Sequence, residues 1–131
     1  MPSILVVAFD GLQPSQVTPE SMPNLAAFSA VGVVFRNHHA VFPTVTRVNA
    51  ASMATGRYPG NHGLAANTVA FRDFDPHLAF SALEPTLSRV TTKLGSVLLT
   101  PTLADILVSH GEEYVSVVSG TSGNAYVHNP N

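Results

Sequence analysis

At 131 residues the chain has the length of one ordinary domain, able to bury roughly two-thirds of its unfolded surface. Eight acidic against six basic residues leave a net charge of −2 with no basic cluster, which excludes nucleic-acid binding through a basic face, and the absence of cysteine excludes disulfides and thiolate metal sites. Apolar residues make up 45% but charged residues only 11%, against about 25% in a typical soluble domain, so part of this surface is expected to be covered by something else.

The N-terminus enters Ser3-Ile4-Leu5-Val6-Val7-Ala8-Phe9 directly, with no basic n-region or cleavable apolar segment. The longest largely apolar stretch, Leu25 to Phe35, is broken by Ser29 and Gly32. Neither a signal peptide nor a transmembrane helix is expected, and the cytoplasm is the default location. The opening run reads as a buried strand ending in Asp10-Gly11, which puts a carboxylate at the usual ligand edge of an open α/β sheet.

Leu12 to Ser21, rich in Pro, Ser, Gln and Thr, reads as a loop. A helix is expected from Met22 or Pro23 to Gly32, packing through Leu25 and Phe28. Val33-Val34-Phe35 and Arg36 to Phe42 read as extended segments. At Phe42-Pro43-Thr44-Val45-Thr46 the chain turns into an Ala-rich helix that Gly56 is expected to cap in a left-handed conformation.

Tyr58 to Gly63 reads as a tight loop, Thr68 to Arg72 as a short strand, and Pro76 to Leu99 as partly irregular. Thr102 and Asp105 have capping-box spacing before a helical stripe of Leu103, Ile106 and Leu107 that Gly111 ends. Glu113 to Ser119 follows as another strand. Strand, helix, strand in this order is the grammar of a parallel sheet.

Thr46 is the focal residue. Its hydroxyl stands where free backbone N–H groups and the positive end of a helix dipole favour an anion, a good place to attack a phosphate. The same residue could serve only as a helix N-cap. Asp10 could only shape the turn at Gly11, and Arg47 could contact a phosphate or line a wall.

Four segments in order then carry a resemblance: Val6 to Gly11, Met22 to Leu25, Phe42 to Thr46, and Ala54-Thr55-Gly56-Arg57-Tyr58-Pro59-Gly60-Asn61-His62-Gly63-Leu64. Together they resemble the N-terminal part of a type I phosphodiesterase/nucleotide pyrophosphatase of the alkaline phosphatase superfamily. The fold implied is α/β, a partial alkaline-phosphatase-like sandwich with a mostly parallel sheet flanked by helices. Residues 1–131 would form the N-terminal portion of one catalytic domain.

The resemblance implies that Thr46 is the nucleophile and ligates one of two zinc ions, that Asp10 ligates the same ion, and that Asn67, 21 positions after Thr46, holds phosphoryl oxygens. Nucleotide-type phosphodiesters would be the substrates. Of the family's further metal ligands, an Asp-x-x-x-His, an Asp-His pair and another His, the Asp-His pair does not occur in this sequence, and the Asp-x-x-x-His spacing occurs only at Asp73 to His77, in the stretch where the resemblance is weakest. The chain alone is therefore expected to hold at most a partial zinc site and to be inactive, with exposed edges that favour self-association.

A phosphonate hydrolase of the same superfamily is the nearest alternative, and a small α/β module binding a phosphate or a protein is the non-enzymatic one. His38 and His39, adjacent in an extended segment, point to opposite faces and cannot easily share an ion. His62 is expected to brace the loop that contains it. Gly120-Thr121-Ser122-Gly123 reads as a strand-to-helix turn, although its amides could cradle a phosphate.

Overall fold

The computed structural model describes residues 4–118 and 123–129, and the chain divides into two compact units, Met1–His39 and Ala40–Asn131. In the first unit Phe9 to Leu12 forms a turn closed by the Leu12 N–H on the Phe9 carbonyl at 3.4 Å. Gly11 takes φ +79° there, a conformation that a side chain would strain. A 3-10 turn at Pro14–Gln16 leads to helix α1 (Pro23–Val31), which starts on a proline and stops at Gly32 as expected. Its packing differs from expectation: Leu25 is half-buried, but Phe28 is exposed, and no residue of α1 is fully buried.

The buried core of the described residues lies in the second unit. Helix α2 (Thr46–Thr55) turns Val48, Ala50, Ala51 and Ala54 inward, and Gly56 closes it in the left-handed conformation, φ +64°. Tyr58 to Gly63 is a single helical turn, α3 (Pro59–His62), rather than a plain loop, with Gly63 left-handed after it. Pro59 suits a first turn, where its missing N–H costs nothing.

Strands β1 (Thr68–Val69) and β2 (Phe80–Ser81) pair antiparallel, Thr68 opposite Ser81 and Val69 opposite Phe80. The irregularity expected from Pro76 to Leu99 gives way to helix α4 (Glu84–Leu94) over much of that stretch. Pro85 occupies its first turn, Leu87 and Val90 are buried, and Ser88, Arg89, Thr92 and Lys93 are exposed on the other side. Thr102 and Asp105 form the expected capping box at the start of helix α5 (Leu103–Ser109). Helix α6 (Gly123–His128) then packs against both α2 and α4. A Cβ on Gly123 would fall onto the Ala82 carbonyl oxygen and within 3.0 Å of Leu87, so only glycine permits this approach.

Ala51, Ala54, Leu64, Ala82, Leu87, Leu98 and Val127 make one cluster from α2, α4, α6 and the segments between them. Ladder pairing among the described residues is confined to β1 and β2. The stretches expected as parallel strands, 4–9 and 113–118, carry no ladder; Ile4 is 92% exposed and Val117 88%. A buried strand needs neighbours for its N–H and C=O groups and for both faces, and apolar pattern alone supplies none. Residues 119–122, with most of the Gly120 to Gly123 turn, lie outside the described residues; Gly123 opens α6.

Candidate functional site

Val45 is extended and supplies no side-chain cap, so Thr46 is the first helical residue of α2 rather than its N-cap. The opening N–H groups of a helix have no intrahelical partner. One of them finds a partner far along the chain: Asn67 Oδ1 accepts the Arg47 N–H at 3.0 Å. The Asn67 amide, reaching from the residue before β1, thus does the work of a cap from outside the helix. Two sequence-predicted site positions, Thr46 and Asn67, meet at one helix end.

That bond also fixes the amide's orientation. With Oδ1 committed to the helix terminus, Nδ2 is the donor that Asn67 can offer to an anion. Next to Thr46 in the chain, Arg47 Nε is buried and has no hydrogen-bond partner among the described residues. An orphaned buried donor next to a candidate nucleophile is an unusual feature, since buried polar groups are ordinarily satisfied.

Sequence reasoning missed Asn49. Its Oδ1 accepts the Val41 N–H at 2.9 Å and its Nδ2 donates to the Val45 carbonyl at 3.0 Å, joining the segment before Thr46 to the helix after it. A polar residue inside an Ala-rich helix gives no sequence signal for such a role.

Asp10 lies in the first unit, exposed, in the turn that Gly11 closes. His39 Nε2 meets Asn37 Oδ1 at 2.8 Å, a local polar contact. His62 braces its loop as expected: fully buried, it accepts the Leu64 N–H on Nδ1 at 3.2 Å and lies 3.0 Å from Ser52 Oγ through Nε2. Burial pushes its pKa below the ordinary value. Because Nδ1 is the acceptor, the proton resides on Nε2 and donates to Ser52, so His62 is not placed to act as a base on that serine.

Among the described residues no three His, Cys, Asp or Glu side chains are grouped so as to hold a metal ion. Asp10 and Thr46 alone fall short of the three or four protein ligands zinc ordinarily takes, so the donors in this chain do not by themselves fit a zinc centre. A cavity of about 390 Å³ between the end of α4 and the start of α5, lined by Thr91, Leu98, Thr102 and Tyr126 among others, includes none of Asp10, Thr46 or Asn67. No helix among the described residues is long and apolar enough to cross a membrane.

Residues 4–107 match the family model for type I phosphodiesterase/nucleotide pyrophosphatase. The chain belongs to that family. It is similar to the bis(5'-adenosyl)-triphosphatase enpp4 of Xenopus laevis, 38% identical over 68 residues, which are 52% of this chain and 15% of that protein. The human protein of the same name is 35% identical over 68 residues, again 52% of this chain and 15% of its own length. A venom phosphodiesterase of Macrovipera lebetinus is 36% identical over 67 residues, 51% of this chain and 8% of the venom enzyme. The chain therefore covers only a small part of the curated relatives it matches. No solved structure matches it significantly.

Proposed function

We propose that this chain contributes the nucleophile half of a hydrolase that cleaves phosphodiester or pyrophosphate bonds in nucleotide-type substrates. The observation that carries the proposal is the Asn67 bond to the Arg47 N–H, which gathers a hydroxyl, a helix N-terminus and an oriented amide donor in one place. Thr46 Oγ attacks phosphorus and forms a phosphothreonine as the bond to the leaving oxygen breaks. Water then attacks phosphorus, cleaves the Thr46–phosphate bond and releases the product. Asn67 Nδ2 donates to a phosphoryl oxygen as charge builds on it, and the Arg47 guanidinium adds a second donor from the neighbouring position.

The superfamily resemblance extends the proposal to an alkaline-phosphatase-like sandwich and to two zinc ions. Asp10 and Thr46 would be this chain's share of the ligands; the others would come from outside these 131 residues, and the chain alone would be inactive.

The test is hydrolysis of a p-nitrophenyl phosphodiester by the full-length parent and by Thr46→Ala, with mass spectrometry of the quenched enzyme to look for phosphothreonine. Loss of turnover and of the phosphorylated peptide in Thr46→Ala is expected. Undiminished turnover in that variant would sink the nucleophile assignment, and turnover of phosphonates in preference to diesters would move the enzyme to the other branch.

A further inference from the structure

We infer that Asn49 is the positioning residue of the nucleophile, a clamp that sets where Thr46 stands by fixing the backbone leading into it. The inference rests on the reading of Thr46 as nucleophile, and it adds a residue that acts without touching substrate.

Side chains on a helix lean toward its N-terminus, so the fourth helical residue can reach back past the first turn. Asn49 does so from one turn after Thr46. Its Oδ1 takes the Val41 N–H at 2.9 Å, five residues upstream of Thr46, while its Nδ2 gives a hydrogen bond to the Val45 carbonyl at 3.0 Å, immediately before Thr46. The Val45 carbonyl also accepts the Asn49 backbone N–H at 3.2 Å. Nδ2 stands 3.5 Å from the Val41 and Pro43 carbonyls, long contacts that close the ring of backbone around the amide. The Val45 N–H, in turn, bonds the Pro43 carbonyl at 2.8 Å.

The segment from Val41 to Val45 is thus wrapped on one side chain. Both functions of the amide, acceptor and donor, are used, and they hold the two ends of the loop that delivers Thr46. No aliphatic side chain can do this, and a carboxylate can do only half of it. An attacking group must lie within a fraction of an ångström of its productive position, and a displacement of about 1 Å can cost roughly 100-fold in rate.

The experiment compares Asn49→Ala, Asn49→Asp and Thr46→Ala in the full-length parent, reading kcat and KM on a p-nitrophenyl phosphodiester together with amide hydrogen exchange at Val41. Asn49→Ala is expected to lower kcat about 10- to 100-fold with KM within about twofold, and to speed exchange at Val41. Asn49→Asp keeps the acceptor for Val41 but sets a carboxylate against the Val45 carbonyl; it should leave Val41 protected and still lower kcat, and it carries the test if the alanine variant does not fold. Unchanged kcat in both Asn49 variants, with Thr46→Ala inactive, would overturn the clamp while leaving the nucleophile reading intact. Activity retained in Thr46→Ala would remove the nucleophile itself. Val41 exchange unaltered in Asn49→Ala would overturn the clamp whatever Thr46 does.

Discussion

Nε2 of His62 donates a hydrogen bond to Ser52 Oγ at 3.0 Å, joining the last residue of α3 to a half-buried serine of α2. With Nδ1 holding the Leu64 N–H, a fully buried imidazole has both ring nitrogens engaged. Replacing it with alanine strands the Leu64 N–H and opens a cavity. His62→Ala should cost about 2–4 kcal/mol, read from urea unfolding, with the loss spread over the whole second unit.

The same imidazole gives a pH dependence. Burial lowers its folded pKa below the ordinary 6.5, so the unfolded chain takes up the proton first as pH falls. Stability from this group is complete above 6.5 and declines as pH drops below that value toward the folded one. The slope is at most about 1.4 kcal/mol per pH unit for this one proton. His128, whose pKa burial also lowers, pulls in the same direction. Urea midpoints measured from neutral to mildly acidic pH should fall, and should fall less in His62→Gln; a pH-independent midpoint would contradict this account.

Asn67 separates capping from chemistry. Asn67→Ala removes the partner of the Arg47 N–H and should cost about 1 kcal/mol. Asn67→Asp keeps an acceptor and places a negative charge at a helix N-terminus, so stability should hold or rise slightly. The aspartate has no amide donor and repels phosphate. Turnover in the full-length parent should therefore fall at least about 100-fold in both variants while thermal stability falls in only one.

Two glycines should differ in their tolerance of alanine. Gly123→Ala sets a Cβ against the Ala82 carbonyl and Leu87, and should destabilise by about 1–3 kcal/mol. At Gly60 a Cβ meets nothing within 4 Å and φ is not in the left-handed range, so Gly60→Ala should change stability by less than about 0.5 kcal/mol. Thermal melting of the two variants side by side checks both.

Helices α1, α2 and α5 were legible because their signals are local: a proline at the start, a glycine past the end, a Thr-x-x-Asp box. Helix α4 was obscured by Pro85, which reads as a breaker unless its place in the first turn is recognised, although Leu87, Val90 and Leu94 carry a helical spacing. Ile4 to Phe9 has strand composition, but pairing depends on partners that a local pattern does not contain. At the candidate site, the family's motif spacing singles out Thr46 and Asn67, and the structure brings Asn67 to the helix end that Thr46 opens. Asn49 carries no such signal, since its bonds go to backbone atoms that any sequence would have.

The inward face of α2 is built from Ala50, Ala51 and Ala54 around Val48, so methyl groups rather than long side chains set how near α6 lies. A ten-residue helix is a stiff rod of about 15 Å, and Ala54 stands about 12 Å along it from Thr46. Enlarging a methyl at the far end would therefore swing the hydroxyl like the tip of a lever. Substitutions remote from any phosphate, with no polar atom of their own, would then retune the proposed activity alongside changes beside Thr46.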